Sequence, residues 1–360
     1  MVGGGTPDTN NPLYWNGDIN WFTPAEIGSN AYASKSERRI TEEGLEHSSA
    51  KLLPAGRTIL FTSRASIGLT AILTVDACTN QGFQSLVVSD RTDVFFLFGL
   101  CNQIKTQAIR NAAGSTFIEI SGKQLAKMPL QIPSLDEQRR IGKIVRTIDS
   151  LIAAEKRKLE LLEKKREELL QCVFSQRLRL NGCTEDCPQY SLAELEMNGD
   201  IHMGRGKVIS AIQMKKNPGI YPVYSSSSKN NGEMGRYGEY MFDHELVTWS
   251  IDGGGHVFYR AKHRFSITNV CGYIQVRNNI DCSFLAYQMM FKHSKLHFDY
   301  TSKALPSLIK NMYDLSMPSL YEQERIGRLF KVFDSLIEFI SHKIELTEQK
   351  KKALLQTMFL

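Results

Sequence analysis

Apolar residues in this chain follow two spacings, and each spacing occurs twice. Ile141, Ile148, Leu162 and Leu169 stand seven or fourteen apart, with Glu155 in the one polar place of the row. Beside them run Val145, Ile152, Leu159, Arg166 and Val173. The second occurrence has Ile326, Phe333, Ile340, Thr347 and Leu354 beside Phe330, Ile337, Ile344, Lys351 and Met358. Sevens sustained this long predict helices that pair as a coiled coil. Each would span about 58 Å at about 1.5 Å per residue, more than a compact domain needs.

The two helices are copies of one another. Residues 133–174 align with 318–359 without a gap, at a displacement of 185 residues, and 21 of 42 positions are identical. Both copies open Pro-Ser-Leu-x-Glu-Gln. Ser134 with Glu137 and Ser319 with Glu322 therefore predict capping boxes, the hydroxyl taking an orphan backbone N–H and the carboxylate reaching back. Solenoid units run to roughly 20–50 residues, so this longer period means two half-molecules instead. The chain divides into a globular part at 1–133, a helix at 134–176, a second globular part at 177–317 and a second helix at 318–360. Antiparallel pairing of the helices would hold the globular parts at a fixed separation in a pseudo-twofold object.

The other spacing is the short alternation of strands. In the first globular part it predicts strands over 58–62, 70–75 and 85–89, with the loop Ser63-Arg64-Ala65-Ser66-Ile67-Gly68 between the first two and Thr79-Asn80-Gln81-Gly82 before the third. A helix follows over 93–111. Upstream, Gly3-Gly4-Gly5-Thr6-Pro7 and Trp15-Asn16-Gly17 predict a loop entering a short hairpin. The second part repeats the plan with other residues. It has strands over 246–250 and 256–260 around Asp252-Gly253-Gly254-Gly255, then Thr268-Asn269-Val270-Cys271-Gly272 and a helix over 282–297. The fold class is α/β of the segregated α+β kind. One scaffold with different loops is what two readers of different ligands would show.

Composition narrows the classes. At 360 residues, 42% hydrophobic and 23% charged, the chain is an ordinary globular protein. No stretch approaches the roughly 20 apolar residues of a membrane span, and Met1-Val2-Gly3-Gly4-Gly5 is unlike a signal peptide, so a cytoplasmic protein is expected. Cys183 and Cys187 are the one close cysteine pair. With no second pair at ligand spacing, no structural metal is expected. The net charge is +6, and the excess sits at 136–180, with 12 basic and 8 acidic side chains; the globular parts are almost neutral.

Motifs for chemistry are missing. A methyltransferase that flips adenine would need an Asn/Asp-Pro-Pro-aromatic loop and a glycine-rich cofactor loop. A translocase would need Gly-x-x-x-x-Gly-Lys-Ser/Thr. Neither occurs, and Asp252-Gly253-Gly254-Gly255 is followed by no Lys-Ser/Thr. Ser225–Gly232, rich in serine and asparagine, reads as a flexible linker or a loop facing a ligand. The stretch 256–265 interleaves Arg260, Lys262, His263 and Arg264 with Phe258, Tyr259 and Phe265, which suits phosphate contacts or a solvated hairpin. A coiled-coil scaffold with protein-binding heads is the rival reading.

The Gly-Gly-Thr-Pro start with Tyr14-Trp15 and Trp21, the two Pro-Ser-Leu-x-Glu-Gln helix starts and the variable–constant–variable–constant order resemble the specificity subunit of type I restriction-modification enzymes, over nearly the whole chain. The resemblance implies two target-recognition domains, each reading half of a split target in double-stranded DNA. It implies helices that act as ruler and dock two methyltransferase subunits, with restriction-translocase subunits joining for cleavage. The chain itself would be non-catalytic and hold no cofactor, S-adenosylmethionine and ATP with Mg belonging to the partners. Side chains that fork onto base edges are Arg, Lys, Asn and Gln. The expected DNA contacts are accordingly Ser63, Arg64, Ser66 and Gln81 in the first domain, and Ser226, Lys229, Asn230, His256, Arg260 and Lys303 in the second. Arg146, Lys156 and Lys331, on helix faces left over after pairing, are the expected contacts to the methylating partners. One departure stands out. The lead-in Tyr190-Ser191-Leu192-Ala193-Glu194-Leu195 has no counterpart before the first Gly cluster. This implies a late-assigned start or a truncated allele whose first domain lacks an edge strand.

Overall fold

The structure, a computed structural model, describes residues 1–64, 66–112, 118–180, 187–227, 229–252, 254–277, 279–296 and 303–358, the side chain of Lys229 excepted. The long helices run Leu135–Phe174 and Leu320–Met358. Two compact units divide the chain. The first takes Met1–Arg157 with His342–Leu360, the second Lys158–Ser341. Each unit thus owns one globular part and a length of both helices.

In the first unit the helices pair antiparallel, with Asp149 on Lys351 and Lys156 on Glu348, one number rising as the other falls. Glu155, the polar interruption of its row, meets Lys343 at 2.5 Å. In the second unit Arg166 meets Asp334 at 2.6 Å. Lys156 is therefore part of the pairing and not left over from it; its ammonium is 2.8 Å from Glu348.

The two globular parts share a sheet order. In the first, Val2–Gly3, Gln84–Val87, Thr58–Phe61 and Thr70–Leu73 lie side by side, each pair antiparallel, with Tyr32–Ala33 added in parallel. In the second, Ile201–Arg205, Cys271–Val276, Leu246–Ser250 and Val257–Arg260 repeat that order. A smaller sheet is also common to both. Arg38–Ile40, Trp15–Phe22 and Ala77–Thr79 correspond to Glu233–Tyr237, Tyr221–Tyr224 and Ser266–Ile267, antiparallel then parallel. Val2 pairs with Ser85 as Gly204 pairs with Tyr273, so the first domain has an edge strand after all, of two residues against five.

Asn16-Gly17 is not a hairpin turn. Trp15–Phe22 is one strand, and both Trp15 and Ile19 face Ile40, so the residues between them form a bulge. Asn16 takes a left-handed φ of 65°, and a Cβ on Gly17 would lie 2.5 Å from the Ile40 carbonyl oxygen. A turn-type dipeptide can also serve a bulge, because both need positive φ or close backbone approach.

Helices Val94–Asn111 and Cys282–Ser294 pack on the larger sheets, each started by an aspartate. Asp93 Oδ1 accepts from Phe96 N at 2.9 Å and Asp281 Oδ1 from Phe284 N at 2.8 Å. The repeated Gln of the long-helix start grips those caps. Buried Gln138 accepts from Asp93 N at 3.0 Å and donates to the Pro133 carbonyl; buried Gln323 accepts from Asp281 N at 3.1 Å and donates to the Pro318 carbonyl. A side chain that satisfies backbone groups on two elements fixes the angle between them. The capping boxes differ from expectation. Glu137 N donates to Ser134 Oγ at 3.4 Å, but the Glu322 carboxylate is buried against Arg179, which donates from Nε at 2.9 Å and Nη2 at 2.6 Å. A two-pronged, charge-assisted bond outcompetes one backbone N–H. Among the described residues no helix is long and apolar enough to cross a membrane.

Candidate nucleic-acid interface

In the first domain glycines let three loops converge. A Cβ on Gly4 would stand 2.0 Å from the Asn80 carbonyl oxygen, and one on Gly5 2.3 Å from Ala50 N, so the Gly-Gly segment lies flat on the Thr79–Gly82 loop. Trp21 Nε1 donates to the Gly5 carbonyl at 2.9 Å and Trp15 Nε1 to the Asp8 carbonyl at 3.1 Å. The Arg38 guanidinium lies 3.6 Å over the Trp15 ring, a cation–π contact that covers the pair. The aromatic residues of the opening motif thus hold the loop in place. At its tip, Thr6 donates to Gln81 Oε1 at 2.5 Å.

Ser63 ties the Arg64 loop to the Gln81 loop. Its N–H and its hydroxyl both donate to the Gly82 carbonyl, at 2.7 and 3.1 Å, and its own carbonyl accepts from Ile120 N. Ser63 is fully buried, so it braces the loops and presents nothing to a ligand. Arg64, Ser66 and Gln81 are exposed on the loops it joins, and Arg64 Nε donates to Glu119 at 2.8 Å.

The second domain repeats the brace with other side chains. Ile251 N donates to the Val270 carbonyl and Ala304 N to the Ile251 carbonyl, the bonds that Ser63 makes in the first domain. On that match Asp252 holds the place of Arg64, and Lys303 the place of Glu119. They too form an ion pair, at 3.6 Å, with its polarity reversed. Half-buried His256 is close by, its ring 6.3 Å from that of His293.

A second group forms at the far end of strand Val257–Arg260. Arg260 is 2% exposed and does not face solvent, contrary to expectation. It donates to Thr248 Oγ1 at 3.0 Å and to the Asn231 carbonyl at 2.7 Å, and its guanidinium stacks 3.8 Å over Tyr224. Burial lowers its pKa to about 10, still far above neutrality, so the charge persists. Its work is to hold the loop that carries Ser226 and exposed Asn230. There Asn230, Asn231 and Gly232 take φ of 50°, 51° and 78°, a left-handed run that asparagine and glycine tolerate. The side chain of Lys229 lies outside the described residues. The structure therefore places Ser226 and Asn230 on the loop that Arg260 holds, and separately Lys303 with Asp252 and His256 with His293.

Sequence reasoning missed a cleft of about 510 Å³ in the second domain, lined by Arg205, Lys207, Gln213, Tyr240 and Tyr273. Arg205 donates to the Asn269 carbonyl at 2.7 Å, and the exposed Arg264 lies 5.0 Å over Tyr240. Lys207 N donates to the Ile267 carbonyl as Gly5 N donates to that of Thr79. The signal was Arg205-Gly206-Lys207, which puts two cations where the first domain has glycines. Of the expected partner contacts, Arg146 is exposed with its guanidinium 5.2 Å over Phe95, and half-buried Lys331 lies 5.8 Å over Tyr259.

Comparison with known proteins agrees with this duplicated plan. The chain matches the family described as type I restriction modification DNA specificity domain twice, at residues 1–164 and 197–349. It is 37% identical over 181 residues to the specificity subunit of the type I restriction enzyme MjaIX of Methanocaldococcus jannaschii, 48% of this chain and 41% of that one. It is 33% identical over 153 residues to the specificity subunit of the type I restriction enzyme MpnII of Mycoplasma pneumoniae, 41% of this chain and 46% of that one. The matches thus span under half the length of these two curated relatives. In fold it resembles the S subunit of a type I restriction-modification system from M. genitalium, with a TM-score of 0.69 over 99% of both chains at 15% identity. Two family matches, covering both halves and most of the described sheet and helix framework, show that the chain belongs to the type I restriction-modification DNA specificity subunits.

Proposed function

We propose that this chain reads a bipartite, asymmetric sequence in double-stranded DNA, one half-site per globular domain, without performing chemistry itself. The long helices set the spacing between half-sites and dock two methyltransferase subunits, and restriction-translocase subunits join that assembly. S-adenosylmethionine, ATP and Mg belong to those partners. Half-site spacing in DNA mirrors protein geometry, so a duplicated reader on a helical spacer fits a split target.

The observation that carries the reading is the pair of loop ion pairs. Arg64–Glu119 and Lys303–Asp252 hang on the same backbone hydrogen bonds with the charges exchanged. A conserved brace under altered charge supports one mode of docking with two different base preferences. The near-neutral domains support a division of labour in which the partners supply much of the phosphate contact, so DNA binding by the isolated chain is weak and salt-sensitive.

The test is to express the chain with the methylating subunit of its own operon and map methyladenine across the host genome. A new motif of two short blocks with a fixed gap is expected. No new methylation, with the chain folded and bound to its partner, overturns the reading.

A further inference from the structure

Arg205, Gly206 and Lys207 of the second domain hold the places of Gly3, Gly4 and Gly5 in the first. Lys207 N donates to the Ile267 carbonyl at 3.2 Å, where Gly5 N donates to the Thr79 carbonyl at 2.8 Å. A Cβ on Gly206 would stand 2.3 Å from the Ile267 carbonyl oxygen, as one on Gly4 would stand 2.4 Å from that of Thr79. The two backbones thus lie equally flat on their neighbouring loops. The side chains differ, because exposed Arg205 and Lys207 flank the central glycine where the first domain has glycine again.

Arg205 is held in place by its own domain. Its Nε and Nη2 both donate to the Asn269 carbonyl, at 3.2 and 2.7 Å, so the guanidinium edge that forks most readily onto a base is engaged by protein. Asn269, two residues after Ile267, is the counterpart of Gln81, two residues after Thr79. Arg205 and Lys207 border the cleft of about 510 Å³, in which Glu239 is the one carboxylate among the lining residues and accepts from Asn217 Nδ2 at 3.3 Å. Exposed Arg264, 5.0 Å over the Tyr240 ring of that cleft, adds a third cation.

We propose, on the half-site reading above, that Arg205 and Lys207 grip the sugar–phosphate backbone of the DNA beside the second half-site, each neutralising a phosphate. The glycines at the same places in the first domain have no side chain to do so. At this strap, salt-dependent affinity therefore comes from the second domain alone. A lysine ammonium is a compact point charge suited to phosphate, and an arginine pinned by a carbonyl keeps its remaining N–H donors at a fixed place. Contacts of this kind set register on the duplex and carry no base information.

The test uses the complex of the full chain with its methylating subunit, titrated into two short fluorescent duplexes and read by anisotropy. One duplex carries the motif from the methylation map and the other has that motif scrambled, and salt runs from about 50 to about 200 mM. Arg205→Gln and Lys207→Gln should each lower the slope of log K against log salt by about one, about threefold in affinity over that range, and weaken both duplexes by the same factor. Lys207→Gln removes an exposed ammonium and leaves the backbone bond of that residue in place, which guards against misfolding of Arg205→Gln. Motif-selective binding by the native complex, with unchanged slopes in both variants, overturns the grip and leaves the half-site reading standing. A loss confined to the motif duplex, with one block of the methylation motif relaxed, also overturns it and makes the two residues base readers. A native complex that yields no motif overturns the half-site reading, and the grip with it.

Discussion

Lys351 Nζ lies 2.5 Å from Asp149 Oδ1 on the facing helix, and the residues 185 positions away in each copy, Arg166 and Asp334, make the same pair at 2.6 Å. Both cations interrupt an apolar row, so each unit sets one ion pair at its helix seam, with a buried carboxylate in the first unit and a half-buried pair in the second. Asp149 is buried, and Asp334 also accepts from Tyr287 Oη at 2.5 Å; burial of Tyr287, reinforced by that bond, pushes its pKa upward. A polar residue in a coiled-coil seam fixes register at some cost in stability.

That geometry predicts an asymmetric response to substitution. Asp149→Ala leaves Lys351 facing an apolar seam and should destabilise the first unit by about 2 kcal/mol, below the roughly 3–5 kcal/mol of a fully buried pair because Lys351 keeps some water. The double change Asp149→Leu with Lys351→Met should recover most of the loss. Urea denaturation of the single and double variants checks both, and equal midpoints for all three proteins would contradict the argument.

A second prediction concerns Gly142 and Gly327, again 185 apart. A Cβ on Gly142 would stand 2.2 Å from Asp93 Oδ1, and one on Gly327 2.4 Å from Asp281 Oδ1. Alanine normally favours a helix by about 1 kcal/mol over glycine. Here it should destabilise instead, by about 1–3 kcal/mol, because it pushes out the aspartate that caps the neighbouring helix. Thermal melts of Gly142→Ala and Gly327→Ala give the sign directly, and a gain in stability would refute the packing.

How much of this the sequence disclosed differs by element. The long helices and the shared plan were legible because apolar spacing of seven and a gapless repeat are local signals. The strand at 246–250 was readable within its own run for the same reason. The reach of Gln138 to Asp93 was not, since the bond joins residues 45 apart that no periodicity links. Residue type and loop position point to Ser63 and Arg260 as ligand contacts. Burial decided otherwise, and burial depends on which strands become neighbours. Glu322 looked like half of a capping box until Arg179, distant in sequence, arrived with a stronger bond.

Acid should weaken the second domain through His293. Its Nε2 sits 2.6 Å from the Gly254 carbonyl and Nδ1 3.0 Å from Tyr313 Oη, which fits the neutral ring donating from Nε2. Burial depresses its pKa below the ordinary 6.5, with the Gly254 hydrogen bond opposing and His256 adding to the shift. The unfolded chain therefore takes up the proton first. The stabilisation is complete above the ordinary value and fades as pH falls below it toward the depressed one. The melting temperature of the native chain should drop between pH 7 and 5 more than that of His293→Gln, which keeps a donor for Gly254. Parallel slopes for the two proteins would remove His293 from the account.

The loop ion pairs allow each half of the target to be perturbed alone. Arg64→Ala frees Glu119 and deletes a base-reading candidate in the first domain. Asn230→Ala and Lys303→Ala act only on loops of the second. Loss of one good bidentate contact relaxes discrimination at its base pair by about 1–3 kcal/mol, or roughly fivefold to 150-fold. In methyladenine maps made with the partner subunit, Arg64→Ala should degrade one block of the motif and leave the other block and the gap unchanged. Asn230→Ala or Lys303→Ala should do the reverse. Arg260→Met, which removes a loop brace, should lower methylation over a whole half-site instead of one base. If a single loop substitution blurred both blocks equally, the domains would not be reading separately, and the one-domain, one-half-site assignment would fail.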